Sequence, residues 1–361
     1  MKVFFVNTNK QWGGGEKWHI ENALSLKKRG FDVAILTFYE SELFKRSVAL
    51  GLATLPVRIS NLSFLNPFSL LKLIRLFKKE KPDTLILNFS SDVKAAGIAA
   101  YLAGINNIIY RRGNAKPIKN SFLNRRLYKK VITRIIANSE ETKRAILQNN
   151  ANLFPANKIQ VIYNGIDIEQ YDSDRADTLY TKKSNEIVIG SAGRLSSEKG
   201  HMALVNASIY LKNKKLNFIC LIAGEGPEEN KLKQAVKDAC LEDQIIFPGF
   251  VYNMKAFISS LDIFVLPSLW EGFGFVTIEA MAGSKPVVAF RVGSNPEIIT
   301  DHITGFLADE NNLVDLTDKI ETLICDRELR DAFGRAGRKR AEDVFNATRS
   351  VQELERFLLS L

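Results

Sequence analysis

Residues 262–290, DIFVLPSLWEGFGFVTIEAMAGSKPVVAF, contain a strand, a loop, a helix and a second strand in that order. DIFVLPS and PVVAF are short apolar runs of the kind that form buried strands. The VTIEAMAG stretch between them predicts a helix that starts directly after a glycine-rich loop. Two strands joined through a helix lie parallel, because a tight hairpin joins only antiparallel neighbours. The segment therefore predicts an α/β fold on a parallel sheet.

The same alternation of strands and helices continues through both halves of the chain. The predicted strands are KVFFVN, FDVAILTF, DTLILNF, NNIIYR, TRIIANS and KIQVIYNG in the first half, and IVIGSAGR, NFICLIAG and QIIFPGF before the two already named in the second. A polar stretch without periodicity separates the two series after Asp167. We expect two Rossmann-like, doubly wound domains (1–168 and 185–345) that face a central cleft, with a linker at 169–184. We expect residues 346–361 to form a C-terminal helix that packs back toward the first domain.

The composition limits the class of protein. A length of 361 residues fits two domains, and 46% hydrophobic with 25% charged residues is typical of a soluble globular protein. No apolar run approaches the ~20 residues that span a bilayer. The N-terminus turns polar at Asn7, too early for a signal peptide. Cys220, Cys240 and Cys325 are widely spaced, so we expect reduced thiols in a cytoplasmic protein.

The formal net charge of +10 is concentrated in one segment. No acidic residue lies between Asp92 and Glu140, where ten basic residues occur: Lys94, Arg111, Arg112, Lys116, Lys119, Arg125, Arg126, Lys129, Lys130 and Arg134. Removal of these ten from the 50 Lys and Arg leaves 40, which equals the 40 Asp and Glu of the chain. A run of charge is usually a solvated face, but a segment without any acid favours an anionic partner.

Residues 118–136 have the pattern of an amphipathic helix that runs into a strand. Apolar residues recur every three to five positions, at Ile118, Phe122, Leu123, Leu127, Val131 and Ile135. The cations Arg125, Arg126, Lys129 and Lys130 lie between them. We expect the apolar stripe to pack on the sheet and the cations to dock the protein on an anionic membrane or glycolipid. An ordinary surface helix is the alternative.

Ligands of doubly wound sheets bind beyond the carboxyl ends of the strands. The first strand ends in NTNKQWGGGEKW, where Gly13, Gly14 and Gly15 allow a ligand to approach a helix N-terminus. A tight turn before a helix is the alternative here. LIAGEGPEE repeats the scheme with Gly224 and Gly226. The first loop does not match the GxGxxG pattern, so a dinucleotide is not specifically indicated.

The loop in IGSAGRLSSEKGH contains two cations, Arg194 and Lys199, between a strand and a helix. Cations and a helix N-terminus both attract phosphate, so this loop favours a diphosphate. The alternative is a pair of surface charges with Glu198 bonded to one of them. The P-loop pattern of Walker-type ATPases is absent from the sequence.

The segment at 262–290 adds two carboxylates to the same edge. Glu271 belongs to the loop after the first strand, and Glu279 belongs to the first turns of the helix. The two glycines of the EGFGF loop leave the backbone free to direct the amides of Phe275 and Val276 at a phosphate. Carboxylates accept hydrogen bonds from hydroxyls, so Glu271 suits a sugar and Glu279 a ribose. Helix-dipole complementarity is an alternative for Glu279 but not for Glu271.

Glu271 and Glu279, with the seven residues between them, resemble the EX7E motif of the family 4 retaining glycosyltransferases, which have the GT-B fold. The similarity extends over nearly the whole chain. It includes Gly13-Gly14-x-Glu16, NGIDIEQY, GRLSSEKG, AGEGPEE and VGSNPEIITDHITGFL, in which Ser294 replaces a common second glycine. Each piece is weak alone, whereas five in the right order indicate the family.

The resemblance implies a role for each of these positions. The first domain would bind the acceptor and the second the nucleotide-sugar, with UDP favoured over GDP. Arg194 and Lys199 would stabilise the leaving diphosphate, and Glu271 would hold hydroxyls of the donor sugar. The other donor-binding residues would be Gly14, Gly193, Gly224, Val251 near the base, Phe273, Gly274, Phe275, Val276, and Glu279 at the ribose.

The implied reaction moves a hexose-type sugar to a hydroxyl of a glycolipid or polysaccharide precursor, such as a lipopolysaccharide or cell-envelope glycan. Configuration would be retained, and no metal or other cofactor would be required. Many relatives carry a histidine after a strand of the N-terminal domain, whereas NNIIYRRGNAK has Arg111 and Arg112 there. These arginines and Lys116 would bind a phosphorylated or carboxylated acceptor, or anchor the loop. Asp172-Ser173-Asp174 has the DxD spacing of metal-dependent transferases but falls in the linker, where no metal site is expected.

Two other classes of protein remain open from the sequence. Another GT-B enzyme, such as a sugar-nucleotide epimerase, is disfavoured by the intact Glu271 and Glu279 pair and by the lack of suitably placed histidines. A nucleic-acid-binding protein would explain the basic composition, but the basic segment has no RNP-type aromatics and no helix-turn-helix pattern. We therefore expect a glycolipid or glycan acceptor and an anionic membrane surface as partners, and no nucleic acid.

Overall fold

A computed structural model describes residues 1–174 and 177–361 of the chain. They form two compact units, which we call the N-unit (residues 1–164 and 350–361) and the C-unit (residues 165–349). The stretch expected as a linker, 169–184, belongs to the C-unit, where Ile168–Ser173 is helical. Residues 175 and 176 of that stretch lie outside the described residues.

The N-unit contains a seven-stranded parallel sheet in the order β3-β2-β1-β4-β5-β6-β7. Its strands are β1 (Lys2–Asn7), β2 (Asp32–Thr37), β3 (Ala53–Pro56), β4 (Thr84–Leu87), β5 (Asn107–Arg112), β6 (Arg134–Ala137) and β7 (Ile159–Val161). Its helices are α1 (Gly14–Lys28), α2 (Glu42–Ala49), α3 (Pro67–Glu80), α4 (Ser90–Asp92), α5 (Ile98–Ala103), α6 (Phe122–Lys130) and α7 (Glu140–Leu147). A π turn (Val93–Gly97) joins α4 to α5, and 3₁₀ turns cover Ser63–Leu65 and Ala156–Lys158.

The C-unit contains a six-stranded parallel sheet in the order β10-β9-β8-β11-β12-β13. Its strands are β8 (Ile187–Ala192), β9 (Phe218–Ala223), β10 (Ile245–Gly249), β11 (Ile263–Leu266), β12 (Val287–Phe290) and β13 (Gly305–Ala308). Its helices are α8 (Ile168–Ser173), α9 (His201–Asn213), α10 (Glu229–Asp238), α11 (Met254–Ser259), α12 (Phe275–Ala282), α13 (Asn295–Ile298), α14 (Leu313–Cys325) and α15 (Arg327–Val344), with a 3₁₀ turn at Ser197–Lys199. The last helix of the chain is α16 (Ala347–Leu359). Two Rossmann-like parallel sheets confirm the predicted fold class.

The sequence pattern misses one edge strand in each sheet, β3 and β13. Both strands have four residues, and β13, with the sequence GFLA, contains no β-branched residue that would mark it as a strand. The strand β3 also ends in Pro56, and its residues are exposed or half-buried because only one neighbour covers them. The central strands β1, β4 and β11 bury nearly every residue, which is why their apolar runs are visible in the sequence.

Helix α6 is shorter than the amphipathic pattern predicts, since it begins at Phe122 and not at 118. Leu127 and Val131 pack into the core of the N-unit, and the four cations expected to dock on a membrane are exposed: Arg125, Arg126, Lys129 and Lys130. The assignment of Phe122 to the buried stripe is wrong, because 70% of this residue is exposed. It is the first residue of the helix. No helix in the described part of the chain is long and apolar enough to cross a membrane.

The strand order of the N-unit reverses between β1 and β4, where the exit loops of these strands diverge. A buried hydrogen bond joins the two loops, because the Thr8 hydroxyl donates to the Asp92 carboxyl group at 2.5 Å. The Phe89 amide donates to the other oxygen of the same group at 3.1 Å. Burial raises the pKa of Asp92 to about 7, although both hydrogen bonds act to lower it.

We predict that Asp92→Asn becomes relatively more stable than the wild type as the pH rises. The pKa of Asp92 is raised above its unfolded value, so the stability that its protonated form contributes is lost as the pH passes through about 7. Asparagine cannot ionise, so the difference in melting temperature should shift in favour of the variant between about pH 5 and about pH 8. Thermal unfolding followed by circular dichroism measures this difference.

The matched control is Asp32→Asn, at a side chain that keeps 69% of its surface exposed. Its melting temperature should follow that of the wild type over the same range of pH. A difference for Asp92→Asn that does not change with pH would contradict the prediction.

Candidate active site

The strand order of the C-unit reverses between β8 and β11. The exit loop of β8 covers residues 193–200, and the exit loop of β11 covers residues 267–274. The two strands pair directly through Ile263 and Phe264, so both loops leave the same edge of the sheet side by side. An open doubly wound sheet binds its ligand at such a reversal. The first loop carries Arg194 and Lys199, and the second carries Glu271.

Lys199 and Glu271 form an ion pair across this reversal, although they lie 72 residues apart in the sequence. The distance from Lys199 Nζ to Glu271 Oε2 is 2.7 Å. The lysine side chain keeps 26% of its surface exposed and the glutamate side chain keeps 10%. The buried Ser268 hydroxyl donates to the same carboxylate oxygen at 3.4 Å. The structure therefore brings together one cation and the carboxylate that the sequence pattern predicted for the site.

Arg194 is exposed on the same loop as Lys199. Glu198, which could have neutralised one of the two cations, makes its hydrogen bonds within the loop. Its own backbone amide and the Ser196 side chain hold the pKa of Glu198 below its usual value, and the charges of Lys199 and Arg194 act in the same direction. The alternative in which Glu198 takes Lys199 as its partner is wrong, because Lys199 pairs with Glu271.

Two glycines allow the loops of this edge to pack closely. At Gly200, φ is +66° and a Cβ would lie 2.0 Å from the Pro267 carbonyl oxygen. At Gly293, in the exit loop of β12, φ is +54° and a Cβ would lie 1.9 Å from the Glu271 carbonyl oxygen. Both distances are far inside van der Waals contact, so any other residue would push the loops apart. The position of Glu271 therefore depends on glycines in two neighbouring loops.

Helix α12 begins at Phe275, directly after Gly274. The Phe275 amide, predicted to bind a phosphate, donates to the Phe273 carbonyl oxygen at 2.9 Å. Val276 follows in the first turn and is half-buried. Phe273 is buried, and its ring lies edge-on to those of Phe275 and Phe345, each with a ring centre 6.0 Å away. Phe273 thus anchors the loop, while the adjacent glycine allows the sharp turn into the helix.

Glu279 lies in the second turn of α12 and is half-buried. Burial raises the pKa of Tyr171 to about 12, and the negative charge of Glu279 contributes to this rise. Sequence reasoning missed Tyr171, which lies in the stretch expected as a linker. It also missed Ser268, which touches Glu271. For Ser268 a signal exists, since it is the last residue of the predicted strand DIFVLPS. Nothing in a polar stretch without periodicity indicates Tyr171.

The other predicted donor-binding residues of the C-unit lie on exit loops of the same sheet. Gly193 and Gly224 are in contact, since a Cβ at Gly224 would lie 1.9 Å from the Gly193 carbonyl oxygen. Val251 is half-buried after β10. It lies between Phe250 and Tyr252, whose exposed rings meet edge to face with centres 4.8 Å apart. The loop predicted to meet the base therefore presents aromatic surface.

In the N-unit, Arg111 is buried at the carboxyl end of β5. Its guanidinium donates to the side-chain oxygens of Asn88 at 3.3 Å and Asn164 at 2.9 Å, and it lies 4.9 Å from the Trp18 ring centre. Burial lowers the pKa of Arg111 to about 10, and the charge of Glu16 opposes this effect. Of the two roles left open by the sequence, these contacts favour the anchor over the acceptor ligand.

Arg112 and Lys116 are more accessible than Arg111. Arg112 is half-buried and donates to the Tyr110 hydroxyl at 3.1 Å and to the Lys116 carbonyl oxygen. Lys116 is exposed in the same loop. Gly14 is the exposed first residue of α1, at the carboxyl end of β1. The accessible cations at this end of β5 are therefore Arg112, Lys116 and Lys119.

The Asp172-Ser173-Asp174 stretch has a structural explanation. The Arg338 guanidinium donates to both carboxylate oxygens of Asp172, at 2.9 and 2.7 Å. This hydrogen bonding holds the pKa of Asp172 below its usual value. No group of acidic, histidine or cysteine side chains among residues 1–174 and 177–361 has the arrangement of a metal site.

Comparison with known proteins identifies the family of both units. Residues 12–170 match the family model "Glycosyltransferase Family 4", and residues 172–340 match "Glycosyl transferases group 1". The chain is 31% identical over 349 residues to the capsular polysaccharide biosynthesis glycosyltransferase CapM of Staphylococcus aureus, covering 91% of this chain and 90% of CapM. It is 25% identical over 317 residues to the UDP-Gal:alpha-D-GlcNAc-diphosphoundecaprenol alpha-1,3-galactosyltransferase of Escherichia coli, covering 83% and 81% of the two chains.

A solved structure has the same fold. The crystal structure of Anabaena HepE in complex with UDP and glucose superposes with a TM-score of 0.85 and 23% identity over 100% of both chains. The fold is thus of the GT-B type, and the family models identify the chain as a glycosyltransferase. The chain belongs to family 4 of these enzymes, the glycosyl transferases group 1, as the EX7E segment indicates.

We predict that Gly293→Ala displaces the loop of residues 267–274 together with the start of α12, whose first amides are the predicted phosphate ligands, and so weakens the binding of UDP or GDP. The substitution adds a Cβ at 1.9 Å from a backbone oxygen to the strain of a positive φ. The control is Gly51→Ala, where φ is +67° and no atom lies within 4 Å of the added Cβ, so that only backbone strain is added. Thermal unfolding and calorimetric titration with each nucleotide measure the effects. Equal losses of stability in both variants, with nucleotide affinity unchanged, would disprove the packing role of Gly293.

Proposed function

We propose that the enzyme transfers a hexose-type sugar from a nucleotide diphosphate, UDP in preference to GDP, to a hydroxyl of a glycolipid or polysaccharide precursor with retention of configuration. The observation that carries the proposal is the Lys199–Glu271 pair at the strand reversal of the C-unit, beside the exposed Arg194. Diphosphate needs cations and a sugar needs acceptors for its hydroxyls, and this edge offers both at one point.

Charge development determines the roles of these residues. As the glycosidic bond breaks, negative charge grows on the leaving diphosphate, and Arg194 and Lys199 would stabilise it from fixed positions. Glu271 would accept hydrogen bonds from the sugar hydroxyls, and Glu279 would accept from the ribose. Since two cations supply the positive charge, the proposed reaction requires no metal. Phosphate binding by the Phe275 amide would replace its 2.9 Å bond to Phe273.

Retention would follow from attack on the face that the diphosphate leaves. In this route the leaving phosphate accepts the proton of the acceptor hydroxyl, and the sugar passes through a state with oxocarbenium character. The route requires no protein base, so neither Glu271 nor Glu279 needs to accept a proton. The names of the relatives support the substrate class, since CapM acts in capsular polysaccharide synthesis and the Escherichia coli enzyme takes a UDP-sugar and a diphosphoundecaprenol acceptor.

The N-unit would bind the acceptor and an anionic membrane. Arg112 and Lys116 supply accessible cations for a phosphorylated acceptor, and Arg111 holds the loop that carries them. The exposed cations of α6 would attract anionic lipids: Arg125, Arg126, Lys129 and Lys130. We propose a peripheral enzyme on the cytoplasmic face of a membrane, because an acceptor on a lipid carrier is presented there.

We predict that Arg194→Ala and Lys199→Ala each lower kcat by about 10²–10³, because each removes one preorganised charge from the leaving group. Turnover of UDP- and GDP-sugars, measured as release of the nucleotide, tests the prediction. Lys214→Ala is the control, since this cation pairs with Glu321 on the surface of the same unit. Wild-type turnover in both site variants, with the fold intact by circular dichroism, would refute the proposed leaving-group role.

We predict that the two glutamates have different functions. Glu271→Gln should impair turnover and discrimination between donor sugars, because the sugar loses a charged acceptor and Lys199 loses its partner. Glu279→Gln should mainly weaken the binding of free UDP or GDP. Calorimetric titration with the free nucleotides, together with turnover on a panel of sugar nucleotides, separates these effects. Equal losses of free-nucleotide affinity in the two variants would rule out the division of roles.

A further inference from the structure

A row of exposed apolar side chains stands at the start of α3 in the N-unit. Its members follow one another at steps of three residues, and the exposed fractions are 68% for Leu62, 67% for Leu65, 74% for Phe68 and 46% for Leu71. We call these four residues the apolar tip. Single exposed apolar residues are common on soluble proteins, whereas a contiguous row of large ones indicates an interaction site.

The backbone of the apolar tip is well held. The Leu65 amide donates to the Leu62 carbonyl oxygen at 2.9 Å and closes a 3₁₀ turn. The Asn66 side chain caps α3, because its oxygen accepts from the Phe68 and Ser69 amides at 3.0 and 3.2 Å. The adjacent Phe64 packs against the core of the N-unit. The fold therefore projects the tip outward while it buries the neighbouring apolar residue.

Positive charge surrounds the apolar tip. The outward face of α3 continues from the tip into exposed cations at helical spacing: Lys72, Arg75, Lys78 and Lys79. No acidic residue lies between Glu42 and Glu80. The Lys94 ammonium, from the helical segment after β4, lies 5.9 Å from the Phe64 ring centre. Apolar side chains next to basic ones are complementary to an anionic bilayer, since apolar groups enter the interface and cations bind the headgroups.

Helix α6 begins at the same edge and on the same face of the sheet. Helix α3, the segment 90–103 and helix α6 contribute to one core cluster, for instance through Leu73, Ala96 and Leu127, so they cover one face of the sheet. A helix that joins parallel strands starts at their carboxyl ends and runs back, so the starts of α3 and α6 share that edge. This places the exposed Phe122 at the edge that carries Phe68, with the cations of α6 behind it.

We infer that the apolar tip inserts into an anionic membrane surface and, with the start of α6, orients the N-unit on it. This inference rests on the proposed function, because it assumes an acceptor that is carried by a membrane. It goes beyond charge attraction, since it assigns the element that enters the bilayer and explains why Phe122 is exposed. It also predicts two components of binding, one that salt screens and one that salt leaves in place.

The test is co-sedimentation of the full chain with phosphatidylcholine vesicles and with vesicles that also contain phosphatidylglycerol, at low and high salt. Leu65→Ser/Phe68→Ser should bind the anionic vesicles roughly 10- to 100-fold more weakly than the wild type, because two apolar side chains no longer enter the interface. The matched control is Val48→Ser/Leu50→Ser. These two residues are 53% and 51% exposed and lie at the C-terminal end of α2, whereas the tip lies at the N-terminal end of α3. The control should bind like the wild type.

Further outcomes distinguish the components. Arg125→Ser/Arg126→Ser/Lys129→Ser/Lys130→Ser should lose the salt-sensitive part of binding and keep the salt-resistant part. Phe68→Trp, which keeps an apolar tip, should shift its emission to the blue on anionic vesicles and be quenched by brominated lipid, whereas Val48→Trp should not. A tip variant that binds vesicles like the wild type would overturn the inference. Light scattering would also overturn it if the wild type were a dimer that the tip substitutions convert to a monomer, because the apolar tip would then be a contact between two copies.

Turnover of soluble sugar nucleotides separates this inference from the proposed function. The tip variant should release nucleotide at the wild-type rate, because its substitutions lie outside the C-unit site. Normal turnover with lost vesicle binding supports the inference. A wild type that turns over no sugar nucleotide, but binds anionic vesicles through the tip, would overturn the proposed function and leave the insertion in place.

Discussion

In a parallel sheet every strand directs its carboxyl end to the same edge, and the rest of this structure depends on that constraint. The described residues form two such sheets, and each reverses its strand order once, between β1 and β4 and between β8 and β11. Loops diverge only at a reversal, so polar side chains from distant parts of the sequence meet there without a helix between them. In the C-unit, the loops at this edge of the sheet carry Arg194, Lys199 and Glu271 of the candidate donor site.

The two reversals use different chemistry for the same geometric task. In the N-unit a hydroxyl and a carboxyl group, Thr8 and Asp92, join the exit loops, and burial favours the uncharged acid. In the C-unit Lys199 and Glu271 join them as an ion pair that stays partly exposed. A fully buried ion pair costs desolvation energy, whereas a partly exposed pair can exchange partners. In the reaction proposed above, the C-unit pair would release a cation to the diphosphate and a carboxylate to the sugar.

The sequence predicts the elements of this fold better than the contacts between them. The strands that are buried on both faces appear as apolar runs, and the glycine-rich exit loops follow them, so Arg194, Lys199 and Glu271 were assigned to one edge. Their pairing was not predicted, because it depends on β8 and β11 being neighbours, and strand order leaves no local pattern. Arg111 illustrates the same limit. An arginine at a strand end resembles a ligand for phosphate, and only its contacts with Trp18, Asn88 and Asn164 favour an anchor. Tyr171, whose pKa the charge of Glu279 raises, could not be found at all, because it lies in a stretch without periodicity.

Gly200 and Gly293 have a consequence for how this enzyme can diversify. Each glycine rests on a backbone oxygen of the loop that carries Glu271, so a longer or bulkier loop on either side would move that carboxylate. An exchange of side chains at this edge can leave the backbone in place, whereas an insertion in either loop would move Glu271. At the apolar tip of the N-unit, by contrast, Leu62 and Phe68 contact mostly solvent, so their replacement would not displace a neighbouring loop. Substitutions at the apolar tip would therefore leave the backbone around Glu271 unchanged, whereas substitutions of Gly200 or Gly293 would not.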